Sequence, residues 1–109
     1  SQPKTNATVT EMSVDRPEHD FGIFPMAEKQ ECTFRLTNIG KSFLVIHDVT
    51  TSCGCTKVEY RKEPVRPGES IELKVSYEAE ENGRFNKTLT VYCNAKDSPI
   101  RLRIKGIAE

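Results

Sequence analysis

Apolar and polar residues alternate along most of this chain. In Glu31-Cys32-Thr33-Phe34-Arg35-Leu36-Thr37, Cys32, Phe34 and Leu36 share one face, and Thr33, Arg35 and Thr37 the other. That period belongs to a strand with one wet face. Ile71, Leu73, Val75 and Tyr77 alternate in the same way with Glu72, Lys74 and Ser76. So do Leu89, Val91 and Cys93 with Thr88, Thr90 and Tyr92, and Ile100, Leu102 and Ile104 with Arg101, Arg103 and Lys105. Glu18 to Phe24 predicts a further strand, with Phe21 in the core and Gly22 at a bend or bulge. Phe43 to Val49 is apolar on both faces, which predicts a strand covered on both sides or one re-aimed by a bulge. Thr56 to Tyr60 predicts a short strand. Turn signals separate these runs: Pro25-Met26-Ala27-Glu28, Asn38-Ile39-Gly40-Lys41, Pro67-Gly68 in type II positions, Asn82-Gly83, and Asn94 to Pro99. Seven short strands and no helix-period segment predict an all-β, seven-stranded immunoglobulin-like β-sandwich. Residues 1–15 read as an N-terminal linker or arm, and 16–109 as the sandwich domain.

Composition narrows the function classes. With 109 residues the chain is one domain with room for a real core. Its 16 Lys and Arg cancel its 16 Asp and Glu, so there is no net basic field to attract nucleic acid or an anionic membrane. No apolar run is long enough for a transmembrane helix. The start at Ser1-Gln2-Pro3 has no initiator Met and reads as a mature or trimmed chain, so the presence of a leader is not decided by it. Asn6-Ala7-Thr8 and Asn86-Lys87-Thr88 fit the glycosylation tripeptide, which matters only in a host that modifies secreted proteins. Asp20-Phe21-Gly22 spells the kinase magnesium motif, but the chain has no glycine-rich loop and no catalytic loop to go with it.

The densest chemistry is Thr51-Ser52-Cys53-Gly54-Cys55-Thr56. Successive strands run opposite ways, so Cys32, at the start of the second predicted strand, falls at the same pole as Cys53 and Cys55. Met26, in the turn before it, falls there too. Cys93 falls at the far pole, which argues against an intersheet Cys32–Cys93 disulfide. Three readings fit the doublet. It is structural, with reduced thiols packed around a glycine bend. It is redox-active, bridged within the pair or to Cys32. Or it is a soft-metal site, with Cys53, Cys55, Cys32 and Met26 as donors for copper(I). Zinc fits less well, because one residue between ligands is closer than its usual spacing. His19, expected at the pole opposite the doublet, and His47 read as structural or solvated. The row Arg101, Arg103, Lys105 reads as a solvated face that discourages edge pairing. No serine, histidine and carboxylate arrangement stands out, and no catalytic residue is predicted.

Several segments also resemble a known family. Asp20-Phe21-Gly22, Phe34-Arg35-Leu36-Thr37-Asn38-Ile39-Gly40, Leu44-Val45-Ile46, Thr51-Ser52-Cys53-Gly54-Cys55-Thr56, Pro67-Gly68-Glu69 and Phe85-Asn86-Lys87-Thr88 resemble the domain-of-unknown-function family 1573. That family is common in Bacteroidetes and is similar to the immunoglobulin-like domains grouped with the major sperm protein, ASPM and hydin. The resemblance runs from about Arg16 to Gly106. It implies an exported or lipid-anchored protein of the periplasm or outer-envelope surface, with no established enzymatic activity. Cys53 and Cys55 belong to the family pattern; Cys32 and Cys93 do not. The expectation is therefore a non-enzymatic protein-binding or scaffolding module of the bacterial envelope. Its partner would be another envelope protein, met through loops and a sheet edge. The alternative is a thiol redox or copper carrier built on Cys53-Gly54-Cys55.

Overall fold

The structure is a computed structural model and describes residues 9–109. Asn6-Ala7-Thr8 and the part of the expected arm before Val9 lie outside the described residues. Eight strands form, in two four-stranded sheets. One sheet has the order β1 (Met12–Val14), β3 (Gln30–Asn38), β6 (Ser70–Tyr77), β5 (Thr56–Glu59). The other has the order β2 (Glu18–Phe24), β8 (Ile100–Ala108), β7 (Gly83–Cys93), β4 (Ile46–Thr51). No helix forms among the described residues, so none is long and apolar enough to cross a membrane.

The alternating faces close on one core. Phe34, Leu36, Leu73, Val75, Leu89, Val91, Leu102 and Ile104 are each at most 1% exposed. They come from the inward positions of β3, β6, β7 and β8, the four strands with neighbours on both sides. Burying side chains of this size is worth about 1.5–3 kcal/mol each, which makes the inner faces the main source of stability.

Four expectations need correction. The eighth strand, β1, lies in the segment expected to be an arm. Three residues are too few to show a period, and β1 exists because Met12, Ser13 and Val14 pair with Asn38, Thr37 and Leu36 of β3. Asp15 then moves the chain to the other sheet. Its Oδ1 accepts the backbone N–H groups of Arg16 and Arg35, both at 3.0 Å. Second, the strand predicted from Phe43 starts only at Ile46. A register shift between Ile46 and Asp48 is the bulge that the doubly apolar pattern allowed, and Phe43 is 51% exposed. Third, His19 does not sit at a pole. It pairs with Ile104 in the middle of β8, because β1 has taken up the preceding length of chain. Fourth, Arg101, Arg103 and Lys105 do not guard an edge, since β8 lies between β2 and β7.

The glycine reading of Asp20-Phe21-Gly22 holds. Gly22 has a φ of +74° at the register shift between Asp20 and Ile23. Its N–H donates to Asp20 Oδ1 at 2.8 Å. Phe21 packs against the core, edge-on to His19 at 4.7 Å between ring centroids.

The four edge strands share a property. β1 has three residues and β5 has four, while β2 and β4 each carry a register shift. Short or bulged edges are poor templates for adding another strand.

Candidate functional site

Two places at opposite ends of the sandwich stand out. The first is the crossover from β4 to β5, which carries Cys53-Gly54-Cys55. The chain leaves one sheet at Thr51 and joins the other at Thr56. Backbone bonds fix it on both sides. Ser52 N–H donates to Thr88 O at 3.0 Å and Thr88 N–H donates to Ser52 Oγ at 3.0 Å. Beyond the doublet, Glu78 N–H donates to Cys55 O at 3.0 Å. Within the bend, Thr56 N–H and Thr51 Oγ1 both donate to Cys53 O, at 3.2 and 3.0 Å.

Cys53 and Cys55 are joined by a disulfide across a Cα–Cα distance of 5.2 Å. The reading of the pair as reduced, packed thiols therefore does not describe this structure. Cys55 N–H donates to Cys53 Sγ at 3.2 Å. Both cysteines are part-exposed and line a cleft of about 160 Å³. Tyr77 and Phe85 also line it, stacked at 4.1 Å between centroids. Glu80 and Glu81 contribute carboxylates to the cleft, and Arg84 and Lys87 contribute cations. Burial, with the charges of Glu80 and Glu81, pushes the Tyr77 phenol above its ordinary pKa, so its hydroxyl stays protonated. Thr56 Oγ1, at the end of the bend, is buried without a hydrogen-bond partner.

Cys32 and Met26 are at the expected pole but do not join the doublet. Cys32 pairs with Val75 of β6, which pairs on its other side with Val58 of β5. Two strand spacings of about 4.8 Å and three residue rises of about 3.3 Å put Cys32 roughly 14 Å from Cys55. Strand order, which the sequence does not show, places β6 between them. Burial pushes the Cys32 thiol up to about 11, against a smaller opposing effect of Arg16, so it is protonated at neutral pH and a weak nucleophile. Met26 N–H donates to Glu109 O at 2.8 Å, and its side chain packs on the core. The expected copper donors are thus not gathered into one set. Among the described residues no three His, Cys, Asp or Glu side chains come together as metal ligands. Cys32 and Cys93 are both free thiols, so the intersheet bridge does not form.

The histidines sit as structural residues. His19 Nδ1 accepts from Arg16 Nη2 at 3.0 Å. Burial, helped by the Arg16 charge, lowers its pKa and keeps the ring neutral. His47 is exposed on β4.

The second place is the opposite end, built by the segments around Thr10, by residues 38–45 and by Asn94. Asn38 is fully buried and uses its whole amide. Its Oδ1 accepts from Thr10 Oγ1 at 2.8 Å and Gly40 N–H at 3.1 Å. Its Nδ2 donates to the carbonyls of Ser42 and Val65 at 2.8 and 2.9 Å. Asn94 clamps the same loop further along. Its Oδ1 accepts from Val45 N–H at 2.7 Å and its Nδ2 donates to Phe43 O at 2.8 Å. Gly40 is required here, because a Cβ on it would run into Thr10 Oγ1. The loop so held presents Ile39 and Phe43 at 58% and 51% exposure. Val9, 42% exposed, precedes the Thr10 that bridges to Ala95. Sequence reasoning missed this apolar group; the signal was an isoleucine inside a turn, at Asn38-Ile39-Gly40.

Residues 12–108 match the family described as "Protein of unknown function (DUF1573)". The chain belongs to that family. No curated protein matches it. Among solved structures, a protein of unknown function from Porphyromonas gingivalis W83 superimposes with a TM-score of 0.82 at 21% identity. The match covers 93% of this chain and 48% of that one, so the chain spans about half the length of that protein. The ASH/PapD-like domain of human CEP192 gives 0.76 at 10% identity, over 92% of this chain and 86% of its own. The secreted serine protease VesC from Vibrio cholerae gives 0.71 at 14%, over 91% of this chain and 23% of its own. At such identities these likenesses show the fold alone: this DUF1573 domain has the two-sheet, immunoglobulin-like sandwich that the PapD-like domain also has.

Proposed function

We propose that this DUF1573 chain is a non-enzymatic protein-binding or scaffolding domain of the bacterial envelope, and that it docks through the end carrying Val9, Ile39 and Phe43. The observation that supports it is Ile39 and Phe43, two large apolar side chains more than half exposed on a loop that two asparagines hold in place. A rigid loop loses little conformational freedom on binding, so contact made by these side chains is not spent on ordering the loop. The short and bulged edges shift the reading away from strand addition and toward this end. The partner is another exported envelope protein that offers an apolar surface, and the domain works in the periplasm or on the outer-envelope surface.

A photo-crosslinking residue at position 43, compared with one at position 59 on the β5 edge, tests this in envelope extract. The expected result is an adduct from position 43 that is lost in an Ile39→Ser variant. Adducts from position 59 alone would return the function to edge pairing. Covering the exposed halves of both side chains is worth about 3 kcal/mol, so Ile39→Ser with Phe43→Ser weakens a purified partner's Kd about a hundredfold.

A further inference from the structure

The Cys53–Cys55 bond contributes little to holding the fold. A cross-link stabilises mainly by closing a loop in the unfolded chain, and that gain shrinks with the loop. This loop is one intervening residue long. The crossover is also already positioned without it, by the bonds among Ser52, Thr88, Cys55 and Glu78. Breaking the S–S bond would leave two sulfurs side by side on a backbone that stays where it is.

The surroundings suit exchange. Both cysteines are part-exposed at a cleft of about 160 Å³. Attack on a disulfide runs through a thiolate leaving group, and its rate rises with access and with stabilisation of that leaving thiolate. Among the described residues, the hydrogen bond that gives such stabilisation goes to Cys53: Cys55 N–H donates to Cys53 Sγ at 3.2 Å. A hydrogen bond of this kind strengthens when its acceptor becomes an anion. Arg84 and Lys87 on β7 line the same cleft and favour a thiolate there. Glu80 and Glu81, after β6, face it as well and oppose them, so the local N–H, rather than net charge, sets the direction.

We propose that Cys53–Cys55 is a thiol–disulfide exchange site that accepts two electrons from the dithiol of another protein, with Cys55 as the attacked sulfur and Cys53 as the leaving group. The partner's first thiolate attacks Cys55 Sγ. The Cys53–Cys55 bond breaks, and Cys53 leaves as a thiolate that is then protonated. The partner's second thiolate attacks the partner sulfur of the mixed disulfide and releases Cys55 as a thiolate, which, like that of Cys53, takes its proton from solvent. The partner ends oxidised to a disulfide, and the domain ends with two thiols. Cys32 and Cys93 take no part, one protonated and roughly two strands away, the other buried at the far end. This goes beyond docking and does not rest on it, since the two sites occupy opposite poles.

The test uses the native chain isolated in air, with reduced glutathione and a synthetic Cys-Gly-His-Cys peptide as probes. Rapid acid quench, alkylation and peptide mapping locate each sulfur. With glutathione, the expected product carries glutathione on Cys55 and the alkyl label on Cys53, in at least fivefold excess over the reverse. With the dithiol peptide, one peptide is oxidised per domain, and both Cys53 and Cys55 take the label. The native bond is expected to react at least as fast as the same bond in the urea-unfolded chain. Lys87→Gln is expected to slow attack severalfold at low salt. Glutathione on Cys53, a native bond protected tenfold or more relative to the unfolded chain, or a chain that emerges from air with two free thiols at 53 and 55 would each overturn the proposal. Failure of the crosslinking at position 43 leaves all of these readings untouched, so the two proposals fall separately.

Discussion

The two ends of this sandwich hold their loops by different means. At the apolar end, two side-chain amides add to the backbone bonds that Ile39, Leu44 and Val45 make: Asn38 and Asn94 reach from strand ends into residues 39–45, and the Asn38 amide serves four partners. At the cysteine end, main-chain bonds dominate with the Thr51 and Ser52 hydroxyls added to them, and the disulfide is added to a crossover already tied to β7 and to Glu78 after β6. The first arrangement concentrates its support in a few residues, so a single substitution can undo it. The second spreads support mostly over main-chain groups that most substitutions leave in place, and so leaves Cys53 and Cys55 free for chemistry.

The strongest way to break this comparison is Asn38→Ala. It removes four hydrogen bonds at once, those to Thr10 Oγ1, Gly40 N–H, Ser42 O and Val65 O; Val65 O keeps the bond from Leu44 N–H, and the expected loss is about 3 kcal/mol in urea unfolding. A loss below 1 kcal/mol would mean that the loop does not depend on the amide. The matching change at the other end is Cys53→Ser with Cys55→Ser. Cross-linking so short a loop is worth about 1.5 kcal/mol by chain-entropy reasoning, so the double variant loses roughly that much and keeps its fold. If it loses more than Asn38→Ala does, the ranking of the two ends is reversed. A third effect, confined to alkaline pH, concerns Cys32. Its thiol is held up to about 11, mainly by burial. The unfolded chain therefore gives up this proton at lower pH than the folded one, and stability falls as pH rises from about 9 toward 11. Thermal melts of the parent and a Cys32→Ala variant over that range measure it: the parent loses more than the variant, and parallel curves would show that the thiol is not buried as described.

Much of the sandwich could be read from its sequence because period two is a direct imprint of burial. Phe34, Leu36, Leu73, Val75, Leu89, Val91, Leu102 and Ile104 were all placed inward by alternation, and all are in the core. β1 was invisible because its three residues owe their conformation to β3 and not to their own pattern. The pole of each cysteine followed from strand direction, and Cys53, Cys55 and Cys93 lie where direction put them. What direction does not encode is lateral order. β3 and β5 start at the same pole but lie on either side of β6, and that, with a three-residue offset along the strands, separates Cys32 from the doublet. The Asn38 clamp was illegible for a similar reason. Thr10 and Val65 are 28 and 27 residues from it in sequence, and nothing local distinguishes an asparagine that ends a strand from one that also organises a distant loop.

One pairing described above has an optical consequence. The chain has three tyrosines and no tryptophan, so its ultraviolet emission comes from tyrosine alone. Tyr77 shares its cleft with the Cys53–Cys55 bond, and a disulfide close to an excited phenol drains the excitation by electron transfer. Cleaving the bond removes that drain and brightens the emission, which makes the domain a label-free reporter of its own oxidation state.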